Sequence, residues 1–127
     1  MRIRRGVIYL ASLDPTVGRE ISKTPPVVVV SNDVGNEYAP TVTVIPVTKG
    51  NLDRIYPFEV KLSKGEGNLD ADSKAEADQI RTIGKSRLVK HIGDLAPGIM
   101  VEIEQAIRHR KKQLSLKHPP YRRPNEM

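Results

Sequence analysis

Hydrophobic residues in the first half of the chain fall in short, β-branched runs that are typical of strands. Residues 26–31 include four consecutive valines, which disfavour a helix and suit a strand buried on both faces. Residues 41–48 alternate threonine with apolar residues, as a half-buried strand does. The same reading predicts strands at residues 6–12 and 55–62 and loops at residues 13–24, 32–40 and 49–54.

The second half of the chain predicts two short strands, at residues 80–83 and 88–92, and then one helix. Pro97 lies just inside the start of that helix, as proline prefers. Residues 72–78 have helical propensity but no apolar stripe, so propensity alone leaves them open. The apolar face of the helix comprises Ile99, Met100, Ile103, Ala106, Ile107 and Leu114.

Short strands broken by proline and followed by one helix predict a mainly β fold, a small barrel with the helix packed on it. Pro46, inside residues 41–48, predicts an edge strand or a bulge there. We expect one domain at residues 1–116 and a basic, disordered tail at residues 117–127, which contains three prolines.

Composition excludes several classes of protein. The chain has no cysteine, which removes disulfides, thiolate metal sites and cysteine nucleophiles. Its formal charge of +6 permits an anionic partner, but three of the 21 basic side chains lie in the tail. No apolar run approaches the roughly 18–20 residues of a membrane span, and the basic N-terminus precedes no signal-peptide core. We therefore expect a cytoplasmic protein without a membrane partner.

Familiar catalytic and metal-binding spacings are missing, and of the histidines only His91 lies where a site could use it. Two polar loops are more informative, at residues 13–20 and 31–36, on either side of the valine strand. Asp-Pro and glycine are also ordinary turn residues, so chemistry alone leaves both loops open as plain connections.

Five segments in register resemble the MazF/PemK family of toxin endoribonucleases, from about Arg5 to Leu114. They are Arg5-Gly-Val-Ile-Tyr-Leu-Ala11, Asp14-Pro-Thr-Val-Gly-x-Glu20, Pro26-Val-Val-Val-Val-Ser-Asn32, Ala39-Pro-Thr-Val-Thr-Val-Ile-Pro-Val-Thr48 and Asp78-Gln-Ile-Arg-Thr-Ile83. Several separate motifs in order are a far more specific signal than one short pattern.

The resemblance implies an SH3-like β-barrel with a C-terminal helix, a homodimer, and a strand at residues 73–77. It implies cleavage of single-stranded RNA without metal or cofactor: the 2′-OH attacks the adjacent phosphate and leaves a cyclic phosphate and a free 5′-OH. It also implies a cognate, MazE-like antitoxin, whose acidic tail would cover the RNA channel. RNA and antitoxin would then compete.

Carried over position by position, Thr48 matches the family's catalytic threonine and Glu20 its acidic residue, a candidate to orient the cation or the attacking hydroxyl. Gln79 matches a base-contacting glutamine, whose amide both donates and accepts. The remaining candidate RNA-binding residues are Thr16, Gly18, Arg19, Lys23, Ser31, Asn32, Asn36 and Asp78.

One departure affects the chemistry directly, because Pro25 occupies the position of the family's catalytic arginine. Proline supplies neither a charge nor a hydrogen-bond donor beside a developing phosphorane. Its presence in place of an arginine is expected to lower the cleavage rate by a factor on the order of 10²–10⁵. Lys23 is a poor substitute, since a point charge is not a bidentate fork. We predict impaired catalysis, and hypothesise an acquired or deliberate inactivation of an intact toxin; a naturally degenerate toxin is the alternative.

A second class of function is a CcdB-like toxin, which shares the barrel, binds a topoisomerase and cleaves nothing. Such toxins use the C-terminal end of the helix, and this chain has Arg108-His-Arg-Lys-Lys112 there. Basic residues at a helix C-terminus are also favoured by the helix dipole alone. Thr48 and the Asp78-Gln-Ile-Arg motif favour the endoribonuclease.

Overall fold

The computed structural model describes residues 2–13 and 24–117, with side chains described as far as residue 109. These residues contain seven strands and two helices, with single turns of 3₁₀-helix at residues 66–68, 77–79 and 85–87. The elements are β1 (Val7–Ala11), β2 (Pro26–Val29), α1 (Asp33–Tyr38), β3 (Thr41–Thr48), β4 (Glu59–Leu62), β5 (Ser73–Glu76), β6 (Arg81–Gly84), β7 (Leu88–Asp94) and α2 (Pro97–Lys117).

The strands form one antiparallel sheet in the order β4-β5-β3-β2-β1-β7, with β6 paired to β3 beside β5. The predicted mainly β fold with a C-terminal helix is confirmed. The predicted small barrel does not close within the described residues, because β4 and β7 lie at opposite edges of the sheet and do not pair. A twisted sheet that curls without pairing its edge strands can bury the same apolar residues as a closed barrel, so the sequence pattern does not distinguish the two.

The two faces of the sheet bury two separate clusters, as the period of two along β3 requires. Ile45 and Val47 pack with Ile103 and Ala106 of α2 on one face. Val42, Val44 and their neighbours form the second cluster on the face away from α2. The predicted apolar face of α2 is confirmed as far as its side chains are described: Ile103 and Ala106 are buried, and Ile99, Met100 and Ile107 pack against the same cluster.

Pro46 marks a break in the pairing of β3 rather than a sheet edge. β3 is paired along both sides, with β2 on one side and with β6 and then β5 on the other. The pairs with β6 end at Val44 and those with β5 begin at Val47, and the 77–79 turn intervenes. The irregularity predicted at Pro46 is therefore present, but on a central strand. Pro46, which has no backbone N–H to donate, lies where β3 pairs with neither β6 nor β5.

Two local predictions are wrong. Residues 32–40, predicted as loop, contain α1, which begins because Asn32 Oδ1 accepts from Gly35 N at 2.8 Å. The predicted strand at residues 55–62 is strand only from Glu59, since Pro57 occupies the second position of a turn closed by Glu59 N and Tyr56 O at 2.8 Å.

Other predictions agree with the structure more closely. The strand at residues 41–48 has the predicted bounds, and residues 73–76 form β5, as the family resemblance implied and against their helical propensity. α2 begins at Pro97 and continues through Lys117, the first residue of the predicted tail. The rest of the tail lies outside the described residues.

Candidate active site

Thr48 ends β3 in the middle of a row of residues that crosses the sheet. Lys74 of β5 is its directly paired neighbour on one side. On the other side, Val27–Pro46 is the last pair between β2 and β3, and the same register carried two residues further would bring Pro25 opposite Thr48. Directly opposed residues of antiparallel strands share a face, so Thr48 and Lys74 present side chains on one face, and the alternation from Val44 makes it the face away from α2.

Thr48 is held by the strand and by its own turn. Its Oγ1 accepts a hydrogen bond from Gly50 N at 3.2 Å, and the side chain is half-buried. A hydroxyl that accepts in this way still has its own hydrogen to donate. The local geometry therefore suits donation to an oxyanion above the end of β3.

Pro25 is a buried residue whose backbone continues the sheet. Its carbonyl accepts from Ala11 N at 3.1 Å. Its ring brings no charge and no donor to the position beside Thr48. Five other predicted site residues, Thr16, Gly18, Arg19, Glu20 and Lys23, lie outside the described residues.

Lys74 is nearly fully buried, at 3% exposed, and its ammonium has three partners. Its Nζ donates to Glu59 Oε1 at 3.0 Å and to the carbonyl oxygens of Asn51 at 3.0 Å and Arg54 at 3.2 Å. We call this set of contacts the Lys74 clamp. Because all three ammonium hydrogens are used, Lys74 is committed to the 51–58 loop and does not replace an arginine at a scissile phosphate.

Carboxylates gather beside the Lys74 clamp. Oxygens of Glu59, Glu76 and Asp78 lie within 4.8 Å of one another, and all three residues line a cavity of about 410 Å³. Asp78 Oδ1 is buried without a hydrogen-bond partner. The exposed Gln79 donates from Nε2 to Asp78 Oδ2 at 3.5 Å, so the predicted Asp-Gln pair adjoins the cavity that Asp78 and Lys74 line.

The next residue after Thr48, Lys49, forms an exposed ion pair. Its Nζ lies 3.0 Å from Asp70 Oδ1, and this hydrogen bond together with the lysine charge lowers the pKa of Asp70 below its usual value. Both side chains are more than half exposed, so water and salt screen the pair. Lys49 therefore brings a positive charge near the end of β3, but the carboxylate of Asp70 already balances that charge.

Three other predicted RNA-binding residues lie at the opposite end of β3. Thr43 N donates to Ser31 Oγ at 3.1 Å, and Thr43 lies five positions along the strand from Thr48, about 17 Å away. Asn36 is 2% exposed; its Nδ2 donates to Ser31 O at 2.9 Å and to Asp33 Oδ1 at 3.2 Å, and Ser31 Oγ donates to its Oδ1. The structure thus separates Ser31, Asn32 and Asn36 from Thr48, and their contact with RNA stays a prediction.

Sequence reasoning missed the Lys74 clamp. A lysine inside Ser73–Glu76 gives no local sign of burial, because its partner Glu59 is fifteen residues away. The sequence indicates Pro57 and the apolar residues of β4. The ion pair between Glu59 and Lys74, which joins this segment to β5, can be found only from the pairing of β4 with β5.

Comparison with known proteins agrees with this fold. A family model described as PemK-like, MazF-like toxin of type II toxin–antitoxin system matches residues 4–110. The chain is 41% identical over 105 residues to Endoribonuclease MazF of Staphylococcus epidermidis, covering 83% of this chain and 88% of that protein. It is 40% identical over 111 residues to Endoribonuclease MazF9 of Mycobacterium tuberculosis, with coverage of 84% and 93%.

Among solved structures, a mycobacterial endoribonuclease in complex with its cognate antitoxin superposes with a TM-score of 0.68 over 87% of this chain and 94% of that one, at 22% identity. That likeness concerns the fold. The family model and the curated relatives place the protein in a class: the chain belongs to the PemK-like, MazF-like toxins of type II toxin–antitoxin systems, a family of endoribonucleases.

The CcdB-like alternative is not favoured by these relatives. At the helix end it relied on, the exposed Arg108 forms an i,i+4 ion pair with Glu104 at 3.7 Å, as an ordinary solvated helix does. Within the part of the chain that the structure describes, no helix is long and apolar enough to cross a membrane.

Proposed function

We propose that the Thr48 end of β3 is the cleavage site for single-stranded RNA. In the proposed reaction the 2′-oxygen bonds to the adjacent phosphorus and the bond to the 5′-oxygen breaks. The products are a cyclic phosphate and a 5′-hydroxyl, with the proton of the 2′-OH passing ultimately to the leaving oxygen. The observation that carries this proposal is the donor-competent Thr48 hydroxyl at a rigid strand end, in a chain of the MazF-like family.

The other predicted roles are proposed with it. Glu20 orients the attacking hydroxyl or a cation, and Gln79 and Asp78 contact bases from the 77–79 turn. Residues Thr16, Gly18, Arg19 and Lys23 contribute to RNA binding from the segment that joins Leu13 to Thr24. The proposed reaction uses no metal or cofactor.

We further propose that Pro25 impairs this chain as a nuclease. A transition state that gains negative charge beside Thr48 needs a cation there, and the described lysines nearby are engaged elsewhere: Lys74 in its clamp and Lys49 with Asp70. The expected deficit is on the order of 10²–10⁵ in rate relative to an arginine at position 25.

Restoring the arginine tests both proposals. Pro25→Arg is expected to raise the rate of single-stranded RNA cleavage by about 10²–10⁵, in the presence of a metal chelator. Pro25→Leu is the matched control, since it removes the proline ring but adds no charge. The products should carry cyclic phosphate ends. A Pro25→Arg protein that leaves RNA intact sinks the assignment of this site.

The partner is proposed by analogy with the antitoxin complex of the mycobacterial relative. A cognate antitoxin with an acidic tail would lie across a homodimer of this cytoplasmic protein and cover the RNA site, supported by the +6 charge of the chain. Co-expression with the neighbouring reading frame, followed by size-exclusion chromatography and RNA competition, tests this. RNA that binds equally well to the complex would contradict a shared site.

A further inference from the structure

The loop between β3 and β4 presents an aromatic stack to solvent beside the proposed site. The rings of Tyr56 and Phe58 are parallel, with centroids 5.2 Å apart and an interplanar angle of 2°. The guanidinium carbon of Arg54 lies 5.6 Å from the Tyr56 centroid. Tyr56 is 42% exposed although it is one of only five aromatic residues in the chain.

This stack stands on a rigid base, the Lys74 clamp. The carbonyl oxygens of Asn51 and Arg54 accept from Lys74 Nζ, and Tyr56 N donates to Glu59 Oε1 at 3.0 Å. Lys74 and Glu59 side chains are 4% and 5% exposed. The backbone on each side of Tyr56 is therefore fixed before any ligand arrives, which reduces the ordering cost of binding.

The stack borders a cavity whose wall includes the strand neighbour of Thr48. Lys74, the paired neighbour of Thr48, forms part of the cavity wall. The lining residues are Asn51, Asp53, Arg54, Tyr56, Phe58, Glu59, Lys74, Glu76 and Asp78. A strand of RNA held at Thr48 would thus have a neighbouring nucleotide within reach of the aromatic rings.

The charges around the cavity indicate which part of a nucleotide enters. Asp53, Glu76 and Asp78 repel a phosphate, while their oxygens accept hydrogen bonds from the N–H groups of a base. Arg54 lies beside Tyr56 and is exposed, so its guanidinium suits a phosphate outside the cavity.

We propose that the Arg54–Tyr56–Phe58 stack is a binding surface for one unpaired nucleobase of the RNA, adjacent to the scissile phosphate. The base stacks on the Tyr56 ring in the place of the Arg54 guanidinium, which turns to the phosphate backbone. Stacking tolerates every base because each has a π-face. This inference rests on the proposed function and adds a subsite to it.

Binding measurements on the chain as it exists test this surface, because slow cleavage leaves the RNA intact during titration. The probes are fluorescein-labelled single-stranded A12 and a 12-mer of abasic ribose phosphates with the same number of charges. Tyr56→Ala is expected to weaken A12 binding by about 5- to 150-fold and to leave binding of the abasic 12-mer unchanged. Tyr56→Phe, which keeps the ring, is expected to restore A12 binding.

Tyr38→Ala is the matched control, since Tyr38 is a 79% exposed tyrosine on α1, at the other end of β3. It should leave both affinities unchanged. Equal weakening of both probes by Tyr56→Ala, equal binding of the two probes by the unaltered protein, or loss of A12 binding in Tyr38→Ala overturns the base surface. Failure of Pro25→Arg to cleave RNA is a separate result, which overturns the proposed function instead.

Discussion

The two ends of β3 hold polar residues in opposite ways. At the Ser31 end, Asn36 is buried and its donors and acceptor are all used by Ser31 and Asp33. At the Thr48 end, the buried charges of Lys74 and Glu59 are also paired, but they support a loop whose Arg54 and Tyr56 face solvent. Both ends belong to segments that carry the family resemblance, and at the Thr48 end polar groups line an open cavity.

This comparison distinguishes polar residues whose hydrogen bonds are all made within the protein from polar residues that are available to a ligand. A fully satisfied network leaves nothing to offer RNA without breaking an internal hydrogen bond, a cost of about 1–3 kcal/mol for each buried group left unpaired. Arg5 strengthens the same end: its backbone N–H donates to Asp33 Oδ1 at 2.7 Å, and its guanidinium donates to Val30 O and Glu104. We therefore propose that Asn36 contributes chiefly to stability, while RNA contacts of Ser31 and Asn32 stay a prediction.

The largest effect should come from the Lys74 clamp. Lys74→Met leaves Glu59 buried without its cation and is expected to destabilise the protein by about 3–5 kcal/mol, measured by urea denaturation. The double variant Lys74→Met/Glu59→Leu should recover part of this loss, since no buried charge is left alone. A single variant as stable as the parent would show that the ion pair contributes no stability.

A somewhat smaller effect, seen in rate rather than stability, is expected at the end of the strand. In the Pro25→Arg background, Thr48→Val should lower RNA cleavage by about 10²–10³ through loss of one donor. Thr43→Val is the matched control, as Thr43 is a half-buried threonine of the same strand whose Oγ1 lies 3.1 Å from Thr82 Oγ1. Similar rates for the two variants would remove Thr48 from the reaction.

Asn36→Ala tests the comparison at the Ser31 end of β3. Truncation leaves Ser31 O without its donor and should cost about 1–3 kcal/mol in unfolding free energy. Affinity for A12 RNA should stay within about twofold of the parent, since the side chain faces the protein interior. An unchanged stability combined with lost RNA binding would return Asn36 to the RNA channel.

The smallest effect is a pH dependence at α1. The hydrogen bond from Arg5 N lowers the pKa of Asp33 below its usual value, so its contribution to stability is present above the unfolded pKa of about 3.9 and is lost as the pH falls through the lower folded value. Asp33→Asn should be slightly less stable than the parent at pH 6, and the gap should close below about pH 4. A gap that widens on acidification would contradict this sign.

Parts of the proposed site could be predicted from a local pattern or from the family resemblance. Threonine alternation predicted the bounds of β3 and so put Thr48 at a strand end, and the resemblance, which implies an arginine just before the valine strand, singled out Pro25. The prediction of a loop at residues 32–40 failed because glycine and asparagine were read as turn residues. Asn32 as a helix cap, with Asp33 in the first turn, was the signal for α1.

Nonlocal partners decided the rest. A lysine in a short strand reads as solvent-exposed, and only the β4–β5 register brings Lys74 to Glu59. The same register brings Glu59 to Lys74, and Glu59 in turn accepts a hydrogen bond from Tyr56 N, so the backbone at Tyr56 is held in place. The segment at residues 55–62, taken alone, indicated only a strand that contains a proline. Whether the sheet closes into a barrel also depends on β4 and β7, edge strands far apart in sequence, which do not pair.

The sequence by itself therefore determined the strand-rich fold, the C-terminal helix, the strand end at Thr48 and the absence of an arginine at position 25, because each is written in a period, a spacing or a single residue. Tertiary structure alone decided which polar residues are consumed inside the protein and which face the cavity. Burial and hydrogen-bond satisfaction depend on partners from other strands, and the identity of a residue does not fix them.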